Sequence, residues 1–161
     1  HRVIGFSSHM AFRLREDIRI YSDEEQRQEL LTIAARSIID FSAAYDVVDK
    51  RDGAHVGTLR RRGFSSLLRD TWEILDRHEH AVGTVQEDSQ MLALLRRFLS
   101  NLIPQTFHVR SADGREQAEL KVHFNPFIYR MTVTMAPGAD IDRRLLLAVA
   151  ILLAAVEQRP D

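Results

Sequence analysis

Apolar positions along most of this chain recur every second residue. Phe12, Leu14, Ile18 and Ile20 alternate with charged side chains, apart from a slip at Glu16-Asp17, as in a half-buried strand. Residues 23–28 are too polar to pack and read as a loop or a helical turn. Strands are expected over 30–35 and 41–49, a turn at Asp49-Lys-Arg-Asp-Gly53, and a returning strand over 55–61. The pattern then repeats. Val48-Asp49 followed by Val56-Gly57-Thr58-Leu59 is echoed by Leu75-Asp76 followed by Val82-Gly83-Thr84-Val85. A weaker third copy runs from Phe107 through Ala112-Asp113-Gly114 to Val122, and Phe127 to Met135 forms a last strand before Pro137-Gly138. Strand, Asp-containing turn, strand is the signature of an antiparallel meander, closed as a barrel or layered as a sandwich.

Twice the period changes to that of a helix. After the capping pair Asp88-Ser89, the residues Met91, Leu94, Leu95, Phe98, Leu99 and Leu102 share one half of a helical wheel, and Pro104 ends it. This amphipathic helix is expected to lie as a lid over one end of a barrel. The second run, Asp140 to Glu157, has no polar residue from Leu145 to Val156. A helix apolar all round must be buried on all sides. Its twelve apolar residues span about 18 Å, short of the roughly 30 Å hydrocarbon core, so a protein interior suits it better than a bilayer. Ala148 and Ala155 on one side, and Ala150 and Ala154 on another, keep it slim. Asp140 and Asp142 suit its N-terminus; Arg143 and Arg144 do not, and are assigned to the barrel rim or to a partner. The expected fold is mainly β: a closed antiparallel β-barrel of about 9–12 strands threaded by the hydrophobic C-terminal α-helix, with one lid helix. Ile151→Asp is then expected to abolish soluble folding.

Composition narrows the function. At 161 residues the chain is long enough for one domain with a real core. Residues 1–10 read as an expression-tag remnant and 11–161 as a single barrel domain. Counted from Met10 there is no apolar signal region, so a cytoplasmic location is expected, peripheral at the membrane if lipid is the ligand. A formal charge of -1 gives no global attraction to nucleic acid, so any anion site must be local. The absence of cysteine excludes disulfides, a thiolate nucleophile and Cys-ligated zinc.

The densest basic cluster is Arg60, Arg61, Arg62 and Arg69, with no acid between Leu59 and Arg69. Guanidinium forks recognise phosphate bidentately, whereas the plainer alternative pairs these arginines with Glu73, Asp70 or Glu87 on a solvated hairpin. Arg96 and Arg97 beside Met91, Phe98 and Leu99 would suit an interfacial membrane helix, although packing on the sheet is the simpler use of that face. His78 and His80 form an H-x-H without a third ligand nearby, and Asp46, Asp49 and Asp52 lack the spacing of a calcium loop. No metal or other cofactor is expected. The chain has no G-x-S-x-G, P-loop, H-E-x-x-H or G-x-G-x-x-G, and Ser65, Ser66, Asp70 and Glu73 do not define a triad, so no enzymatic activity is expected. A barrel filled by a helix also lacks the central cavity of a small-molecule carrier.

The hairpin series, the Arg-rich stretch Leu59 to Asp76, Leu102-Ile-Pro-Gln105, Phe124-Asn-Pro-Phe127 and the apolar C-terminal helix together resemble the tubby C-terminal-like superfamily. Within it the chain is most similar to LURP-one-related and phospholipid-scramblase-like proteins of an uncharacterised bacterial branch. The resemblance implies a closed barrel threaded by the last helix, and non-enzymatic binding of phospholipid or phosphoinositide at membranes, or an adaptor role. The Pro-rich N-terminal region and lipid-attachment cysteines of scramblases have no counterpart here, and no phosphoinositide-binding lysine of tubby proteins carries over. The sequence reading is therefore a domain that binds anionic phospholipid headgroups through Arg60, Arg61, Arg62 and Arg69. The alternative is a protein-interaction adaptor without lipid activity.

Overall fold

The computed structural model describes residues 17–39, 42–62, 71–87, 105–123 and 130–157. Nine strands form one sheet: β1 (Ile18–Tyr21), β2 (Glu29–Ile39), β3 (Ser42–Asp49), β4 (His55–Arg62), β5 (Thr71–Asp76), β6 (Ala81–Glu87), β7 (Thr106–Ser111), β8 (Glu116–His123) and β9 (Arg130–Met135). A single helix, α1 (Arg143–Glu157), follows them. Each strand pairs antiparallel with the next in chain order, which is the meander that the alternation predicts. β2 runs past the expected end at Ala35 to Ile39, because a bulge between Ala35 and Ser37 lets the ladder with β3 continue.

The expected closed barrel is not formed. Among the described residues no ladder joins β9 to β1, and the sheet has two edges. It is nevertheless curled. Eight strand spacings of about 4.8 Å would spread a flat sheet over roughly 38 Å, against a helix about 10 Å across. Yet one apolar cluster takes side chains from every strand from β1 to β8 and from α1, with Met131 and Met135 of β9 packed against it. The lid helix expected over residues 88–104 lies outside the described residues.

The helix is not buried all round. Leu145, Leu146, Ala148, Val149, Leu152, Leu153 and Ala155 are buried, while Leu147, Ala150, Ile151 and Ala154 form a half-buried stripe. Their spacing of three and four residues places them on one face, less buried than the rest, with Leu147, Ala150 and Ile151 still packed against the edge of the apolar cluster. An open sheet covers one side of a helix and leaves the other partly uncovered. No helix among the described residues is long and apolar enough to cross a membrane.

The echoed Val-Gly-Thr triplets of β4 and β6 have a packing cause. A Cβ on Gly57 would lie 2.3 Å from the Leu75 carbonyl oxygen and 3.1 Å from Leu145 Cδ2. One on Gly83 would lie 2.8 Å from both the Arg110 carbonyl oxygen and Ile141 Cδ1. The two glycines are notches that admit the start of α1 and the residue leading into it.

Three side chains fix that end of the helix. Asp142 caps it, accepting the Arg144 backbone N–H at 2.8 Å. Buried Gln117 of β8 accepts the N–H groups of Asp140 and Ile141 at 2.8 and 3.3 Å. Arg144 reaches from the first turn to Asp49 at the end of β3, Nη1 to Oδ2 2.9 Å, so this cation at the start of α1 ties the helix to a strand end.

Candidate anion-binding site

Strand periodicity divides the arginine cluster. Arg60 lies opposite Glu73 and Arg62 opposite Thr71 in the β4–β5 ladder, on the convex face. Arg61 lies opposite the buried Trp72 and turns the other way, where it is half-buried. Arg69 lies outside the described residues, as do Ser65, Ser66 and Asp70. The cluster contiguous in sequence is therefore a pair in space.

That pair is organised by one carboxylate. Arg60 donates from Nε and Nη2 to Glu73 Oε2 at 3.0 and 2.6 Å, and Arg62 Nη2 donates to Oε1 at 3.0 Å. The Glu73 side chain is 6% exposed, whereas those of Arg60 and Arg62 are 46% and 64% exposed. A buried carboxylate thus holds two guanidinium groups side by side at the surface. Each guanidinium carries five N–H donors, and most of these ten remain after the Glu73 bonds are made. Two cations share one anion, leaving a formal charge of one positive unit. Glu73 was foreseen as the plain ion-pair partner; it is that, and it also orients the forks.

A second network on the convex face has the opposite balance. Arg36 Nη2 meets Asp46 Oδ1 and Glu79 Oε1, both at 2.7 Å, so one cation is shared by two anions. These bonds hold Arg36 well above the usual guanidinium range, with Glu79 the larger cause. Burial pushes Asp46 up, but hydrogen bonds from Arg36 and Thr58 outweigh it and the carboxyl sits below its ordinary value. Thr58, His55 and Asp46 also meet here without forming a relay. Asp46 Oδ1 and Thr58 Oγ1 approach the same ring nitrogen, His55 Nε2, at 3.3 and 3.4 Å, and the threonine hydroxyl donates to Asp46 at 2.8 Å. A proton-relaying histidine uses its two nitrogens for two different partners.

A cleft of about 550 Å³ opens at the end of the sheet where α1 begins, with Val56, Val82, Ile141 and Leu145 among its apolar lining. Its carboxylates are committed to the fold. Asp76 accepts the N–H groups of His78 and His80, Asp113 is bound by Ser111 and Arg115, Asp140 accepts from Arg115 Nη2 at 3.2 Å, and Asp142 caps α1. The Ser111 hydroxyl and the Arg115 guanidinium hold Asp113 down at about 2. His78 and His80 stand in the turn before β6, their rings 6.2 Å apart, and among the described residues no three potential ligands gather as a metal site. Asp46 and Asp49 diverge, the first to Arg36 and the second to Arg51 and Arg144.

Sequence inspection missed the role of Glu73 as organiser, although a signal was present. Glu73 is an acid inside the apolar run Trp72-Glu-Ile-Leu75, where only a paired charge can be buried. No curated protein and no solved structure gives a significant match to the chain. The model of the LURP-one-related family matches residues 6–154, nearly the whole chain, in keeping with the tubby-like and scramblase-like resemblance. The chain belongs to the LURP-one-related family.

Proposed function

We propose that this chain is a non-enzymatic binding domain that recognises anionic phospholipid headgroups, phosphoinositide-like, at a membrane surface. The observation that supports this reading is the Arg60–Glu73–Arg62 arrangement: two exposed forks, pre-oriented by a buried carboxylate, with one positive charge left over. Pre-orientation reduces the side-chain entropy lost on binding, and a phosphate monoester offers the acceptor oxygens that two forks can share. Arg60 and Arg62 form the site in this reading. Arg61 lies on the opposite side of the strand and is not part of the site. Absence of catalysis is part of the same proposal, and the shared use of His55 Nε2 supports it.

Co-sedimentation with phosphatidylcholine vesicles, with and without a few per cent phosphoinositide, tests the proposal at physiological salt. Pelleting should require the phosphoinositide and should fall at least tenfold in Arg62→Glu, while Arg61→Glu changes it little. Competition by a soluble inositol phosphate but not by inorganic phosphate would locate the recognition in the headgroup. No lipid-dependent pelleting, or pelleting indifferent to both Arg60→Glu and Arg62→Glu, overturns it. The second reading, a protein-interaction adaptor, predicts a stable protein partner and indifference to vesicles.

A further inference from the structure

The two edges of the sheet are protected unequally. β1 has four residues, a register break between Ile20 and Tyr21, and the exposed Arg19 within it. Short length, irregularity and charge are the ordinary defences of an edge strand. β9 has none of them over Met131-Thr-Val-Thr-Met135, which contains no charge and no proline. Its ladder with β8 runs unbroken from Ala118 opposite Met135 to His123 opposite Arg130. Thr132, Val133 and Thr134 are exposed, and among the described residues Val133, at 37%, is the one exposed large hydrophobic. An unbroken, β-prone edge with no charge from residue 131 to residue 135 is a template for another strand.

The backbone fixes which groups are offered. Ala136 N–H donates to the Gln117 carbonyl at 2.9 Å, so residue 136 points its groups toward β8. Backbone groups alternate direction along a strand, which turns those of Met131, Val133 and Met135 outward to the free edge. We propose that this edge pairs antiparallel with β9 of a second copy of the chain, with Val133 on the twofold axis. Antiparallel partners must share a face, and this register achieves it throughout. Val133 faces Val133 of the copy, each Met131 faces a Met135, and each Thr132 faces a Thr134. All three outward residues of each copy are then used, giving six backbone hydrogen bonds by the two-per-narrow-pair rule. Centring the axis on Thr134 would set each Met131 opposite Pro137, which has no N–H to donate. Arg130 meets Ala136, so no like charges face each other. The pairing is isologous and closes as a dimer, with no route to a fibre.

The absence of cysteine from the chain makes a clean test. Opposed residues of a hydrogen-bonded pair have Cα atoms about 5.5 Å apart, within the roughly 4.4–6.8 Å that a disulfide spans. Val133→Cys should therefore cross-link to a dimer under mild oxidation, whereas Thr132→Cys, facing residue 134 on the other surface, should not. The wild-type chain should sediment as a concentration-dependent dimer. Val133→Pro removes only an outward N–H, which an edge tolerates, and should be monomeric with an unchanged circular dichroism spectrum. A wild-type chain that is monomeric at every concentration overturns the proposal, as does equal cross-linking at 132 and 133. So does protection of the 131, 133 and 135 amides from hydrogen exchange in a monomer, which would mean that this chain itself covers the edge.

Discussion

Asp49 and Arg144, ninety-five positions apart, meet at 2.9 Å between Oδ2 and Nη1 and tie the end of β3 to the first turn of α1. The Asp49 side chain is 1% exposed and every lone pair is used. Oδ1 accepts the Arg51 backbone N–H and Nε, each at 3.0 Å, and Oδ2 accepts Arg51 Nη2 at 2.6 Å together with Arg144. Arg144 in turn binds Asp142 through Nε and Nη2. The four charges sum to zero and share hydrogen bonds, the condition under which buried ions are tolerated. Arg144→Leu keeps the apolar bulk but leaves Asp49 with Arg51 alone. It should lower stability by about 2–3 kcal/mol, read as a shift of the urea midpoint. A double-mutant cycle with Asp49→Asn should return a coupling of about 1 kcal/mol or more. Additive effects of the two substitutions would deny the tie.

The same carboxylate sets a pH dependence. Hydrogen bonds from Arg51 hold Asp49 well below the usual carboxylate range, against a contrary push from burial, and Arg144 adds to the depression. A depressed folded value means that the unfolded chain takes up the proton first. The stabilisation is therefore complete above the unfolded value, near pH 4, and is lost as pH falls through the folded value. Wild-type stability should fall on acidification below about pH 4. Asp49→Asn, less stable at neutral pH, should show a shallower fall over the same range. Parallel curves for the two chains would show that other carboxylates carry the effect.

Gly57 and Gly83 predict a contrast with Gly114. Alanine at 57 drives a methyl into the β5 backbone and the Leu145 side chain, and neither can retreat without moving a strand or α1. Overpacking of this kind costs about 3 kcal/mol, and the 2.8 Å approaches at Gly83 place Gly83→Ala close behind. Gly114 has φ of +85° in open space, so Gly114→Ala costs only the left-handed backbone penalty, about 1 kcal/mol. Thermal melts of the three variants should rank 57, then 83, then 114. Wild-type stability in Gly57→Ala would mean that neither the β5 backbone nor α1 presses on β4 at this position.

Much of the fold could be read in advance because strands announce themselves locally. The alternation and the Asp-containing turns placed the hairpins, and Gly53 and Gly114 take the positive φ their turns call for. The repeated Val-Gly-Thr was visible too, but its cause lies between elements 18 to 88 residues apart, from Gly57 against Leu75 to Gly57 against Leu145, and no local window contains it. The contiguous arginines 60 to 62 looked like one patch because inspection along the chain ignores the period of two that sends Arg61 to the other face. Barrel closure is equally non-local. Whether a ninth strand meets the first depends on accumulated curl and stagger, which no single strand encodes.

The face of α1 was the hardest to foresee, because an unbroken apolar run has no polar face to orient it. Burial of an apolar rod on all sides makes Ile151 as critical as any neighbour, whereas the structure puts Ile151 on the half-buried stripe and Leu152, 2% exposed, against the strands. A carboxylate at 152 would be enclosed without a partner at a cost of several kcal/mol, a large part of the roughly 5–15 kcal/mol available to a domain of this size. Leu152→Asp should leave little soluble protein. Ile151→Asp can turn its charge toward water and should stay soluble with a loss of about 1–2 kcal/mol. Soluble yield and urea midpoints decide between the two arrangements. Equal collapse at 151 and 152 would mean that the helix is enclosed on every side, and that the sheet closes around it after all.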